Sequence, residues 1–377
     1  MLDKILDSFS YYKWWKNLDK LILSIVTVLF LIGLFISLVS TSLIASDKLA
    51  TNTYFFFFKH LIFVISGFLI IFIFSYIEEK NLYKISIFLF LFSLILLVLV
   101  PIIGVQVKGS TRWLDFIFLP RIQPIEIVKP FFIIILALII SSNKLTNFSI
   151  KFIISFLLTA LITLLLIIQP DLGQTILISF SWIILIFISG INLFFLISIS
   201  LIGLASIIYL VFYVPRFIYI KERLISFFDK ETGTHNFQSD KAIDSIISGG
   251  FFGKGIGEGT LKNKVPEAHT DYIISVISEE FGVIAIILIL VLFLAFIFLI
   301  LKKLDNETND TARLILVGSA SLILFQALIH IGVNIRLFPT TGMTLPFLSY
   351  GGSSMISVSI LSGIILNLTK RKVLFSK

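Results

Sequence analysis

Cysteine is absent from the 377-residue chain, which removes disulfides, thiolate nucleophiles and cysteine-held metals from consideration. Charge is scarce as well. Asp, Glu, Lys and Arg make up 14% of the residues, where an ordinary soluble domain carries about 25%. Only nine prolines and four histidines occur. What is present is apolar: 58% hydrophobic residues and a mean hydropathy of +1.06. Runs of about 18 or more apolar residues recur along almost the whole length, each able to cross a hydrocarbon layer. A transmembrane barrel would show short alternating segments. These runs are continuous, so the predicted fold is an all-α polytopic membrane protein.

The net charge of +8 does not point to nucleic acid. The basic residues gather at the flanks of apolar runs, where they set orientation and meet anionic lipid. About ten spans are expected, near 21–44, 54–77, 82–103, 124–140, 150–168, 173–189, 192–214, 272–301, 313–335 and 352–368. An even count puts both ends on one face. Lys4, Lys13, Lys16 and Lys20 at the start and Lys370, Arg371, Lys372 and Lys377 at the end predict that both termini are cytoplasmic. Residues 1–20 read as a tail with an interfacial belt of Tyr11, Tyr12, Trp14 and Trp15, residues 21–369 as one transmembrane domain, and 370–377 as a basic tail. The first span is too long for a signal peptide and is expected to remain.

Two polar segments then face outside. One is 104–123. The other is 215–271, between spans seven and eight, whose scattered Phe and Ile residues suggest an ordered cap with short amphipathic helices. Within it, the glycine-rich stretch 249–259 matches neither the spacing nor the setting of a phosphate-binding loop. A turn that lets two backbones approach closely is the stronger reading.

Ionisable groups at membrane depth are costly and mark candidate sites. The run Pro266-Glu267-Ala268-His269-Thr270-Asp271 places two carboxylates and a histidine at the mouth of span eight. They can cap the helix, act as a base on a sugar hydroxyl, or contribute to a hard-cation site. Glu279 and Glu280 lie two turns further in, where packing ties to Lys or Arg are the expected role. Glu126 and Lys129 are spaced to pair. Together with Lys108 and Arg112, Lys129 also suits a cationic clamp for a diphosphate. Asp171, in Gln169-Pro170-Asp171-Leu172-Gly173, reads as a helix cap. The stretch from Phe338 to Ser354 carries Pro339, Pro346, Gly342, Gly351 and Gly352, too many breakers for a span. It is expected to re-enter the membrane before span ten and to line a polar cavity with its hydroxyls, Ser349 and Ser353 among them.

These segments, in this order, resemble the SEDS family (shape, elongation, division and sporulation), and the run Met343-Thr344 with Leu345 to Ser354 is closer to its division branch than to its elongation branch. The resemblance covers nearly the whole chain. It implies a ten-span peptidoglycan glycosyltransferase that polymerises lipid II outside the cytoplasmic (inner) membrane, at the division septum. It implies Asp271 as the catalytic residue, with Arg112, Lys129, Glu126, Glu267, His269, Ser349 and Ser353 toward substrate. A divalent cation, Mg or Mn, is implied as cofactor, with Asp271 as a candidate ligand. The implied partners are a class B penicillin-binding protein transpeptidase (FtsI-like) and other divisome proteins. Three positions depart from the family pattern: Thr341 where division members usually carry Lys, His330 in place of a common Asn, and Ile125 in place of a small residue. A flippase or transporter of the same lipid, an elongation-type polymerase and a scaffold are the competing readings.

Overall fold

The computed structural model describes residues 10–41, 54–107, 110–116, 119–143, 148–228 and 237–370. A short amphipathic helix, α1 (Ser10–Asn17), precedes α2 (Lys20–Thr41), α3 (Phe55–Tyr76) and α4 (Glu79–Ile103). Then come α5 (Pro124–Ser141), α6 (Phe148–Ile168), α7 (Leu172–Ile188) and α8 (Leu193–Tyr213). The cap helices α9 (Ile218–Phe228) and α10 (Phe237–Gly249) lead to α11 (Ile273–Leu304), α12 (Asp310–Asn334) and α13 (Gly352–Leu368).

Eight of these helices are long and apolar enough to cross a membrane, and α7 and α13 are shorter. All ten coincide with the expected spans. The two short ones, 17 residues each, start where polar backbone is buried in protein, at the 169–171 turn and the 335–351 segment. Broken backbone at that depth is tolerated only in such a setting. Helix α13 is the central post, buried from Ser353 to Leu368 except at Ile356. It lies closely against α3 because each helix offers a glycine. A Cβ on Gly67 would meet the Ser359 hydroxyl, and one on Gly363 would meet the Ile71 carbonyl at 2.9 Å. Small residues at such contacts let membrane helices approach. Helix α8 is the opposite case, with only Leu196 and Val211 buried.

The polar segment 104–123 has regular structure of its own. It forms a three-stranded antiparallel sheet, β1 (Val105–Val107), β2 (Ser110–Phe116) and β3 (Leu119–Ile122). In β2 the two-residue period of a strand turns Arg112 and Leu114 inward together. The residues around Lys108 lie outside those described.

Helix α11 contains a break at Gly282 (φ 77°, ψ −178°). A Cβ there would collide with the Phe251 carbonyl, so only glycine fits both the left-handed backbone and the space. The freed amides of Val283 and Ile284 donate to the carbonyls of Gly250 (3.0 Å) and Phe251 (3.4 Å). The glycine-rich stretch is thus a close backbone approach, and the chain from Gly257 to Lys262 closes over two buried carboxylates. Glu279 accepts from the amides of Leu261 (2.9 Å) and Lys262 (2.6 Å) and from the Ser245 hydroxyl (2.9 Å). Glu280 accepts from the Gly257 amide (2.5 Å) and pairs with the Lys262 ammonium.

Candidate active site

Four inter-span segments meet at one end of the bundle: the β-sheet, the 169–171 turn, the 215–272 cap and the 335–351 segment before α13. Between them lies a cavity of about 730 Å3 whose wall includes Arg112, Gln123, Glu126, Gln174, Glu267, Asp271, Thr341, Gly342 and Ser353. Three further cations, Lys59, Arg121 and Arg223, complete the lining.

Arg112 is the keystone of the floor. It is 9% exposed, and its guanidinium donates to the Pro170 and Thr341 carbonyls and lies 3.6 Å from the Asp171 carboxylate. Asp171 caps α7 through the Gln174 amide (3.4 Å) and also accepts from the Gln123 side chain (3.2 Å). Burial pushes the Asp171 carboxyl up, and the neighbouring Arg112 opposes that. Its role therefore exceeds the cap that the sequence suggested. Gly342, in the left-handed region at φ 70°, separates Arg112 from Asp271: a Cβ there would stand 3.5 Å from Asp271 Oδ2 and 3.7 Å from an Arg112 amino nitrogen.

Asp271 is held by its backbone. Three consecutive carbonyls take donors from neighbouring elements: His269 from the Tyr350 amide (3.1 Å), Thr270 from the Ser349 hydroxyl (2.7 Å), and Asp271 from the Asn334 side chain (3.1 Å). On the other side the Glu267 carbonyl accepts from the amides of Thr270 (3.0 Å) and Asp271 (3.1 Å). Glu267 itself has φ 56°, a strained conformation of the kind that clusters at functional sites. Tyr272, which follows Asp271, is almost fully buried.

The structure does not bring every expected residue to the wall. Lys129 is fully buried, paired with Glu126 (2.7 Å) and hydrogen-bonded to Gln326 (3.0 Å). It holds Glu126 in place, and no face of it lines the cavity. Ser349 is an internal strut between the Leu345 amide and the Thr270 carbonyl. His269 packs its ring between Phe56 and Tyr350, at 5.3 and 6.0 Å. Glu126, Glu267, Asp271, Arg112 and Ser353 do share the cavity, and Ser353 accepts from the Gln123 amide (3.0 Å). Sequence reasoning assigned no site role to Lys59, Arg121 and Arg223. A lysine followed by a histidine inside the phenylalanine-rich start of span two was the available signal for Lys59. Among the described residues no group of three or more His, Asp or Glu side chains could hold a metal ion.

A polytopic helical membrane protein with an acid, a cluster of cations and a roomy cavity at one end of its bundle is the class that fold and site define. The chain belongs to the FtsW/RodA/SpoVE family, described as cell cycle proteins, whose sequence model matches residues 19–373. It is 31% identical over 369 residues, 95% of this chain and 91% of the relative, to the Caulobacter vibrioides protein named "Probable peptidoglycan glycosyltransferase FtsW". It is 30% identical over 363 residues to stage V sporulation protein E of Bacillus subtilis, covering 94% and 98% of the two chains. The fold is shared with a chain from the work titled "Structural coordination of polymerization and crosslinking by a peptidoglycan synthase complex" (TM-score 0.74, 24% identity, 93% and 97% coverage). It is shared too with the rod shape determining protein RodA of Thermus thermophilus (TM-score 0.66, 23% identity, 94% and 97% coverage).

Proposed function

We propose that this chain is a peptidoglycan glycosyltransferase that polymerises lipid II, with Asp271 as general base. The observation that carries the reading is the opposition of an acid and a cation across Gly342, in a cavity open at one face of the bundle. In the reaction, the Asp271 carboxylate accepts the proton of the acceptor sugar hydroxyl as its oxygen attacks the anomeric carbon of the donor. The bond from that carbon to the diphosphate oxygen breaks, and the electron pair leaves with the lipid diphosphate. Arg112, Arg121, Arg223 and Lys59 line the same cavity and supply the positive field that stabilises the departing charge, where fixed cations outperform water.

A divalent cation, Mg or Mn, belongs to the proposal: Glu267 and Asp271, both on the cavity wall, would hold it, since hard cations take carboxylate oxygens. When bound it would neutralise the diphosphate. The proposal includes a class B penicillin-binding protein transpeptidase (FtsI-like) and other divisome proteins as partners. Septal enrichment in the inner membrane, with both termini cytoplasmic, belongs to it too. Similarity to a family described as cell cycle proteins and to a chain from work on a peptidoglycan synthase complex supports this. A transporter of the same lipid would want its site near the midplane. Here the cavity lies at one end of the bundle, and Lys129 below it is tied to Glu126 of its wall and to Gln326. The test is direct: the purified chain with its transpeptidase, given lipid II and a divalent cation, yields glycan polymer. Translocation of lipid II without polymer would favour the transporter.

A further inference from the structure

The 249–259 stretch donates its Lys254 and Gly255 amides to the Glu279 and Glu280 carbonyls and its Gly257 amide to the Glu280 carboxylate, and this explains only one of its sides. The other side presents Phe251 and Phe252 to the surroundings at 74% and 82% exposure, with Ile247 at the end of α10 at 72%. Large apolar side chains so exposed and adjacent mark a surface that something apolar covers. The hydrogen bonds from Val283 and Ile284 to Gly250 and Phe251 fix their height on α11. From Val283 to Leu301 the helix runs about 28 Å at 1.5 Å per residue, close to the roughly 30 Å of hydrocarbon in a bilayer. Lys302 and Lys303 mark the far edge of that stretch. The break at Gly282 therefore marks the near edge, on the side of the cavity. The two phenylalanines stand at this boundary and continue the exposed face of Ile284, Ile287 and Leu288 below them.

We propose that Phe251 and Phe252 insert among the lipids of the cavity-side leaflet as a wedge, pinning the glycine-rich strap at the hydrocarbon boundary. Continuity with the lipid-facing side of α11 favours acyl chains as the occupant. Phenylalanine side chains transfer favourably into hydrocarbon. The wedge sets the height of the strap, and through Glu279 and Glu280 the height at which α11 begins.

The absence of cysteine makes a clean test available. Phe252→Cys, labelled with a nitroxide in the full chain and reconstituted in phosphatidylethanolamine/phosphatidylglycerol vesicles, is compared by power saturation with Ile287→Cys and Asp310→Cys. The label at 252 is expected to collide with oxygen several-fold more than with a water-soluble nickel chelate, as the label at 287 does. Preferential collision with the chelate, as at 310, overturns the proposal. Shielding from both reagents overturns it too, since protein then covers the patch. Should labelling disturb folding, Phe252→Trp serves instead. Its added fluorescence is expected to be quenched by brominated acyl chains and spared by iodide, and the reverse pattern contradicts the wedge.

Discussion

Glu279 and Glu280 lie two turns along α11 from its mouth, where Glu267 and Asp271 stand, yet the two acidic pairs sit in opposite settings. The inner pair is 0% and 1% exposed and is spoken for: three backbone amides, the Ser245 hydroxyl and the Lys262 ammonium meet its four oxygens. Such a pair contributes to stability only while every partner remains. The outer pair lines a cavity, and at Asp271 the neighbouring elements grip the backbone carbonyl and leave the carboxylate facing the chamber. Where a carboxylate's oxygens are enclosed by donors, its work is architectural. Where the main chain is held and the side chain lines a cavity, the carboxylate is placed to meet a substrate.

The largest effects are expected at the inner pair. Lys262→Met strands Glu280 as an uncompensated buried charge and is expected to cost on the order of 3–5 kcal/mol, read as a fall in thermal midpoint in detergent. An unchanged midpoint would mean that the pair is not structural. Gly282→Ala, which forces a left-handed φ and a collision with Phe251, is expected to cost about 1–3 kcal/mol. The same measurement, with weakened polymerisation only in proportion to lost folded protein, checks it.

On the outer side, Asn334→Leu removes the donor to the Asp271 carbonyl and is expected to cost about 1 kcal/mol of stability. It should also lower kcat several-fold at unchanged KM, because the base is displaced while the lipid contacts persist. A change in KM alone would assign Asn334 to binding. The smallest effect lies at the far end of the molecule, where Asp19 meets Lys303 at 2.6 Å. Burial raises the Asp19 carboxyl, but Lys303 and the amides of Ile22 and Leu21 outweigh it and hold the pKa below the ordinary value. Because the folded pKa is depressed, this contribution is full above the unfolded pKa of about 3.9 and is lost as pH falls through the folded value. For a partly exposed pair it amounts to roughly 1 kcal/mol or less. Asp19→Asn is expected to lower the midpoint slightly at pH 7 and to leave it equal to wild type in strong acid.

The ten spans were legible because apolar runs of membrane length report themselves locally, and the short helices α7 and α13 were placed by the Pro and Gly that bound them. The small β-sheet was not. Its strands are three to seven residues long, too short to show a period among polar neighbours. The glycine-rich stretch could be read as a close approach, but its carboxylate ligands stand some twenty residues downstream on another element, a pairing that only the fold creates. The site divided in the same way. Asp271, Glu267 and Arg112 stood out as charges in costly places and do line one cavity. Lys129 stood out for the same reason and is turned into the bundle, because i, i+3 spacing offers Glu126 as a partner as readily as it offers a substrate. Spacing along one helix does not say which side of it faces the chamber.

The claim that Asp271 is chemically active while the inner pair is architectural is tested most directly by one assay on Asp271→Asn. Polymerisation of lipid II is measured with the transpeptidase partner present, alongside the thermal midpoint of the same preparation. A midpoint within error of wild type and no detectable polymer are expected. Polymer at the wild-type rate from the folded variant would contradict it.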